Sequence, residues 1–127
     1  MTLRCVIVDD NPDVLRAAGD LLQRQGMRVV GVATTSDEAL PLVEELEPEV
    51  TLVDIDLGPE SGFELARRLV RSLDRVGSRT ILISTHDEAD FADLIAASPA
   101  IGFLSKSDLS AEAITRLLAG DGEEEGY

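Results

Sequence analysis

Several residue types that support particular kinds of site are scarce in this chain of 127 residues. It has one cysteine, Cys5, so an intrachain disulfide is excluded, and with one histidine a zinc site of His and Cys ligands is not expected. Long apolar runs are missing too, because the run from Cys5 to Val8 is too short for a signal peptide core or a membrane span. The sequence therefore predicts a cytoplasmic protein, away from the membrane, with a buried and unreactive thiol.

Basic residues are also few, since the chain has 11 of them against 25 acidic residues and a formal net charge of -14. A chain this acidic repels phosphate backbones, so direct binding to nucleic acid is not expected. Hydrophobic residues make up 44% of the chain, which is enough for an ordinary core, and the length suits one domain. We predict a domain over residues 1–119, followed by a disordered acidic tail over residues 120–127.

Five apolar segments alternate with five segments of helical periodicity. The predicted strands are Leu3–Val8, Met27–Ala33, Glu49–Val53, Arg79–Ile83 and Ile101–Leu104. The predicted helices are Asp13–Gln25, a second helix capped by Ser36 with Pro41 near its start, Phe63–Leu73, Asp87–Ala97 and, capped by Ser110, Ser110–Leu118. This alternation implies right-handed βαβ units, and therefore an α/β fold with a doubly wound parallel sheet that carries helices on both faces.

In an open parallel sheet the functional site lies beyond the carboxyl ends of the strands. This chain places polar residues there, namely Asp9 and Asp10 after the first strand, Asp54 and Asp56 after the third, Ser84 and Thr85 after the fourth, and Lys106 after the fifth. Carboxylates about 5 Å apart repel by roughly 3 kcal/mol at an effective dielectric constant of about 20, so clustered aspartates need compensating cations. Lys106 offers one positive charge, and Mg²⁺, which takes carboxylate oxygens and shares a position with a phosphate oxygen, fits the remainder.

These motifs resemble those of the receiver domain of two-component response regulators, over roughly residues 3–119. In chain order they are Val8-Asp9-Asp10, Leu52-Val53-Asp54-Ile55-Asp56-Leu57, Ile83-Ser84-Thr85 and Gly102-Phe103-Leu104-Ser105-Lys106. Their separations also fit the family, with 44 residues from Asp10 to Asp54, 30 from Asp54 to Ser84 and 22 from Ser84 to Lys106. The resemblance implies a five-stranded sheet of the flavodoxin-like order 2-1-3-4-5 with five helices.

The resemblance also implies which acids act at this edge. Asp54 is expected to be the phosphorylated residue. Asp10 is expected to bind Mg²⁺ directly, Asp9 mostly through water, and Asp54 and the backbone carbonyl of Asp56 to complete the metal site. Mg²⁺ is therefore the expected cofactor.

Further residues are expected to contact the phosphoryl group or to respond to it. Ser84 and Lys106 match the hydroxyl and the lysine that contact it in the family. Phe103 matches the aromatic position that switches together with Ser84. Thr85 and Asp56 lie where they could influence the water that later hydrolyses the acyl phosphate.

Two positions depart from the family pattern. Gly58 stands before Pro59 where the family often has proline directly after the Asp-x-x-Leu run. Ser107 stands where a cis proline often follows the lysine, which leaves the geometry of the Lys106–Ser107 peptide open.

The hypothesis is a signalling phosphoacceptor rather than an enzyme. Its donor would be a histidine kinase or a phosphotransfer protein, docked near Asp13, Val14 and Arg16, and its target a downstream protein or an output domain, with homodimerisation linked to phosphorylation. Two other functions stay open. One is a receiver-like binding module that works without phosphorylation, and the other is a Mg²⁺-dependent phosphatase with an aspartyl nucleophile, whose Asp-x-Asp pattern Asp54-Ile55-Asp56 resembles superficially.

Overall fold

The alternating segments form a central sheet of five parallel strands in a computed structural model that describes residues 2–72, 79–85 and 88–124. The strands are β1 (Arg4–Val8), β2 (Arg28–Ala33), β3 (Val50–Asp54), β4 (Arg79–Ser84) and β5 (Gly102–Ser105). Their order is β2-β1-β3-β4-β5, with every neighbouring pair parallel, so the predicted order is confirmed. The winding reverses between β1 and β3, which is where such sheets open a crevice for ligands.

Five α-helices connect and follow the strands. They are α1 (Pro12–Arg24), α2 (Ser36–Leu46), α3 (Gly62–Ser72), α4 (Ala92–Ala97) and α5 (Ala111–Glu124), with short 3-10 turns at Glu88–Phe91 and Lys106–Asp108. Helix α1 shows how the sequence sets a boundary, because the Asn11 side chain accepts a hydrogen bond from the Asp13 N–H and Pro12 occupies the first turn. In the part of the chain that the structure describes, no helix is long and apolar enough to cross a membrane.

The sheet separates two hydrophobic cores, as the alternation of side chains along a strand requires. Cys5 and Ile7 of β1 face a core that α1 and α5 cover, whereas Val6 and Val8 face a core that α2 and α3 cover. Cys5 is fully buried, as predicted, and this burial raises the pKa of its thiol to about 12. Apart from two buried threonines, the inner strands are therefore apolar on both faces, and their charged residues lie at the strand ends.

The start of α2 differs from the prediction. Ser36 is the first residue of the helix and is buried. The N-cap is Thr35, whose hydroxyl accepts a hydrogen bond from the Glu38 N–H at 3.2 Å. Both residues carry the hydroxyl that a cap needs, but Thr35 has the extended backbone that a cap position adopts. Pro41 lies inside the helix rather than near its start.

The last two helices differ from the prediction as well. The segment predicted as one helix begins with a 3-10 turn at Glu88–Phe91, and α4 covers only Ala92–Ala97. Helix α5 continues to Glu124, so residues 120–124 are helical and the predicted helix end at Leu118 is wrong. A single glycine costs a helix only about 1 kcal/mol, and Gly120 does not stop this one. The predicted positions at Leu73, Asp87 and 125–127 lie outside the described residues.

Candidate functional site

Three charged side chains from three different strand ends meet at the carboxyl edge of the sheet. Asp9 directly follows β1, Asp54 is the last residue of β3, and Lys106 directly follows β5. The Lys106 Nζ lies 2.6 Å from Asp9 Oδ2 and 3.0 Å from Asp54 Oδ2. The side chains of Asp9, Asp54 and Lys106 are 0%, 7% and 17% exposed, so these ion pairs are shielded from water. One lysine thus bridges two buried carboxylates across the switch point of the sheet.

Backbone N–H groups bind the other oxygen of each carboxylate. The Asn11 N–H donates to Asp9 Oδ1 at 2.9 Å, and the Asp56 N–H donates to Asp54 Oδ1 at 3.1 Å. Lys106 Nζ is the charge partner of Asp9 Oδ2, and among the described residues this buried oxygen has no further partner. Its remaining lone pair is available to a cation.

The pKa values of two residues in this cluster are shifted by burial and by their charged neighbours. Burial raises the pKa of Asp54 above its usual value, and the nearby Asp9 charge adds to this rise. The Asp56 N–H and Lys106 oppose it without cancelling it. For Lys106, burial lowers the pKa, but the carboxylates of Asp9 and Asp54 outweigh burial and the pKa is raised overall. Lys106 is therefore held in its charged form, while the carboxylates still have more negative charge than it can balance.

A third carboxylate completes a group that could hold a metal ion. Asp9, Asp10 and Asp54 each place one carboxylate oxygen within 4.8 Å of the others, and Asp10 is the exposed member of the group. Three oxygen ligands with an open, solvent-facing side suit a hard divalent cation that keeps several waters, such as Mg²⁺. The Asp56 side chain lies outside this group and accepts a hydrogen bond from the Gly58 N–H at 3.2 Å. A role for the backbone carbonyl of Asp56 remains a prediction.

The loop after β3 is a short hairpin that the sequence did not predict. Asp56–Leu57 pairs antiparallel with Glu60–Ser61, and Gly58-Pro59 forms the two-residue connection. Gly58 has a φ of +71°, which glycine adopts readily and a proline ring forbids. A positive φ first and proline second match the type II′ hairpin turn, which explains why proline stands one position later than in the family pattern.

Gly62 brings the start of α3 against the end of β3. A Cβ atom at this position would lie 2.0 Å from the carbonyl oxygen of Asp54 and 2.7 Å from Ile55 Cα. The Gly62 N–H also donates to the Ile55 carbonyl at 3.0 Å. Only glycine fits here, so the loop is closed tightly behind Asp54.

The remaining predicted residues lie on the neighbouring strands. Ser84 is the buried last residue of β4 and pairs in register with Ser105, next to Lys106. Thr85 is exposed beside them. Phe103 in β5 is half-buried and packs against the core under α2 and α3. The structure thus places Ser84 and Thr85 at the site edge and Phe103 away from it, and their roles stay predictions.

The segment around Lys106 has two further features. The Lys106–Ser107 peptide is trans, as are all peptide bonds in the described ranges. The hydroxyls of Ser105 and Ser107 lie 2.9 Å apart and form a hydrogen bond across the lysine. The sequence did not predict this hydrogen bond, although Ser105 lies in the motif that ends at Lys106 and Ser107 is one of the two positions that depart from the family pattern.

A groove runs from this edge along α1. It has a volume of about 390 Å³, and its apolar wall includes Val14, Ala17 and Leu21 of α1. Thr85, Lys106 and Ser107 line its other side. The Lys106 side of the site therefore borders an apolar surface, whereas the Asp10 side faces solvent.

Comparisons with known proteins identify the family of this chain. The sequence matches the family described as the response regulator receiver domain over residues 5–118. The chain therefore belongs to the receiver domain family of response regulators.

Individual relatives support the same assignment. The transcriptional activator protein ExaE of Pseudomonas putida is 34% identical over 91% of this chain and 55% of its own length. The response regulator GacA of Pseudomonas aeruginosa is 28% identical over 93% of this chain and 56% of its own. The chain thus spans somewhat more than half the length of these curated relatives. The crystal structure of a two-component response regulator of the LuxR family from Aurantimonas sp. SI85-9A1 matches with a TM-score of 0.83 and 28% identity, over 94% of this chain and 87% of that one.

Proposed function

We propose that this chain accepts a phosphoryl group on Asp54 from a phosphohistidine and uses the new charge as a signalling switch. The observation that carries the proposal is the placement of Asp54, whose carboxylate is buried between the Lys106 ammonium and the acidic pair Asp9 and Asp10. Such a site favours an incoming group that brings a cation and strong oxygen acceptors. The donor would be a histidine kinase or a phosphotransfer protein.

The reaction is a transfer between two groups. A carboxylate oxygen of Asp54 attacks the phosphorus, the phosphorus–nitrogen bond of the phosphohistidine breaks, and the neutral imidazole leaves after taking a proton from solvent. Lys106 then pairs with the oxygens of the transferred group in place of the carboxylates that it contacts before the transfer. Asp9, Asp10 and Asp54 would hold Mg²⁺, which when bound supplies positive charge to the phosphoryl oxygens.

The groove along α1 supports a protein as the donor. Its apolar wall of Val14, Ala17 and Leu21 adjoins Lys106, the residue that contacts Asp54. A donor protein could pack a helix against this wall and still present its phosphohistidine at the sheet edge. A small free phosphate ester would gain little from an apolar groove of this kind.

The switch would start from Ser84 and end at the face that carries Phe103. Ser84 is buried at the end of β4, next in register to the segment that holds Lys106, so a hydrogen bond to a phosphoryl group would shift the β4 loop. Phe103 is half-buried, so part of its ring is accessible at this face. The receiver of this signal would be a downstream protein, an output domain or a second phosphorylated copy.

The two alternatives make different predictions. A receiver-like binding module without phosphorylation does not need the costly contact of Lys106 with Asp9 and Asp54, yet this chain retains it. A phosphatase would release many equivalents of inorganic phosphate from a small ester, whereas a phosphoacceptor releases only what it has first taken up. Asp56 and Thr85 would then set how fast the acyl phosphate hydrolyses.

Intact mass after treatment with acetyl phosphate and Mg²⁺ tests the proposal. We expect the wild-type protein to gain the mass of one phosphoryl group, Asp54→Asn to gain none, and the exposed control Asp13→Asn to behave as wild type. Removal of divalent cations with EDTA should suppress the gain. An unmodified wild-type protein, or an equal gain in Asp54→Asn, would contradict the proposal.

A further inference from the structure

We infer that Glu60 is a positioning residue for the metal and phosphoryl site, because it ties the hairpin after β3 to the start of α2. The inference rests on the proposed function, since it concerns the same site. Glu60 Oε1 accepts a hydrogen bond from the Ser36 N–H at 2.9 Å, across 24 residues of sequence. Ser36 is the first residue of α2 and is 3% exposed. Its N–H is one of the donors that a helix leaves unpaired at its start, and the helix dipole favours a carboxylate there.

The hairpin carries this constraint to the site. Glu60 pairs with Leu57 across the turn, and a Cβ atom on Gly58 at that turn would lie 3.1 Å from Asp10 Oδ2. At the other end of the hairpin, the Asp56 N–H donates to Asp54 Oδ1. The hairpin therefore lies close to Asp10 and donates to Asp54, two of the three carboxylates that could hold Mg²⁺, and Glu60 ties its second strand to α2.

Helix α2 has local capping contacts in addition to its bond to Glu60. Thr35 already accepts a hydrogen bond from the Glu38 N–H, and the Glu38 carboxylate accepts one from the Thr34 N–H at 2.8 Å. These local contacts hold the first turn of α2, so the long-range bond to Glu60 mainly restrains the hairpin. The α2 N-terminus is the anchor, and the hairpin is the part that gains a fixed position.

Space around the side chain shows what would follow from its loss. Glu60 lines a cavity of about 390 Å³ on the side of Asp10 and another of about 250 Å³ on the side of Asp56. Truncation at Glu60 would leave room on both sides of the hairpin and remove its hydrogen bond to Ser36, while the buried Leu57 still holds the base of the hairpin in the core. The relative placement of Asp10 and Asp54 would then become less defined, and a cation would have to order it on binding.

Two independent changes remove the same hydrogen bond. Glu60→Ala removes the acceptor, and Ser36→Pro removes the donor N–H. Proline is favoured at the first position of a helix, and the extended backbone of Thr35 suits a residue before proline. Glu60→Gln keeps the acceptor and removes the charge, and Ser36→Ala keeps the donor. Glu64→Ala removes an equal charge from an exposed position on α3 and serves as the charge control.

Mg²⁺ affinity, measured by titration of ¹⁵N-labelled proteins in NMR, tests the inference. We expect Glu60→Ala and Ser36→Pro each to weaken Mg²⁺ binding by about tenfold, as loss of support around a metal site commonly does. The double variant should lose no more than either single one. Glu60→Gln, Ser36→Ala and Glu64→Ala should stay near wild type.

Each other outcome has a defined meaning. Unchanged Mg²⁺ affinity in Glu60→Ala or in Ser36→Pro would overturn the inference and leave the proposed function standing. Equal weakening in Glu60→Gln and Glu60→Ala would also overturn it, since charge rather than the hydrogen bond would then be the cause. A wild-type protein that binds no Mg²⁺ would overturn the metal part of the proposed function, and the inference with it.

Discussion

The middle of the sheet and its carboxyl edge are built from the same strands, yet they differ in almost every physical respect. In the middle, residues such as Leu52 and Ile81 are fully buried among apolar neighbours, with both faces of the sheet covered. At the edge, Asp9 and Asp54 are almost as deeply buried, but their neighbours are charged. Burial stabilises the first region through the hydrophobic effect and penalises the second through loss of hydration.

This difference shows how one sheet can be both a scaffold and a site. Hydrogen bonds and packing along the strands position the last residue of each strand without help from the charges themselves. The charges can then be placed where they are unfavourable, because the strands hold them there. Stability and reactivity should accordingly respond to different substitutions.

The largest effect on stability should come from the middle of the sheet. Leu52→Ala should lower the free energy of unfolding by about 2–5 kcal/mol, because it removes a fully buried side chain and leaves a cavity. Val32→Ala on the outer strand β2, where the side chain is 48% exposed, should cost about 0.5 kcal/mol. Urea unfolding followed by circular dichroism measures both, and equal losses would show that the sheet interior is less tightly packed than the structure indicates.

A smaller loss should follow from removing the positive charge at the edge. Lys106→Met keeps most of the aliphatic stem but leaves Asp9 and Asp54 without their cation, and should cost about 2 kcal/mol in EDTA. The exposed pair of Arg116 with Glu112 offers a matched control, so Arg116→Gln should cost about 0.5 kcal/mol or less. Added Mg²⁺ should stabilise Lys106→Met more than it stabilises Arg116→Gln, since a bound cation replaces the missing charge. Equal costs for the two variants would remove the contrast between buried and exposed ion pairs.

The smallest effect should be a change in how stability depends on pH, caused by substitution of Asp54 itself. Because burial raises the pKa of Asp54 in the folded protein, its contribution to stability is fully present below the unfolded value of about 4 and is lost as the pH rises through the folded value. Asp54→Asn has no such loss, so in EDTA its Tm should improve relative to wild type as the pH is raised from about 4 to 8. Asp13→Asn, at an exposed position, should follow the wild-type profile. A Tm of Asp54→Asn that falls relative to wild type over this range would contradict the assigned direction.

The sequence predicted the sheet well because its signals are local. Val50, Leu52 and Val53 form an apolar run that only the β-branched Thr51 interrupts, and the rule for parallel sheets places the following Asp54 at the functional edge. The same rule predicts that Asp9 and Lys106 lie at that edge. The family resemblance then supplied the strand order, which periodicity alone does not give.

The features that escaped prediction depend on contacts between distant residues or on very short elements. The strands Asp56–Leu57 and Glu60–Ser61 are two residues long, too short for any alternation to be recognised. Glu60 is one acid in an acidic loop, and nothing near it in sequence indicates its bond to Ser36. Thr35 and Ser36 carry equivalent hydroxyls, so only the backbone dihedral angles show which of them is the cap.

The burial of Cys5 has a consequence for how the motions of this protein can be followed. β1 lies between β2 and β3, so a thiol reagent reaches this side chain only when the sheet itself opens. With a pKa of about 12 the thiol is almost wholly protonated in the closed state, and closed molecules do not react. The rate of labelling therefore reports the opening equilibrium of the sheet, without any engineered probe. A partner or ion that binds only the closed protein would slow that rate in proportion to its occupancy, so the chain's one cysteine measures binding at an edge that it does not touch.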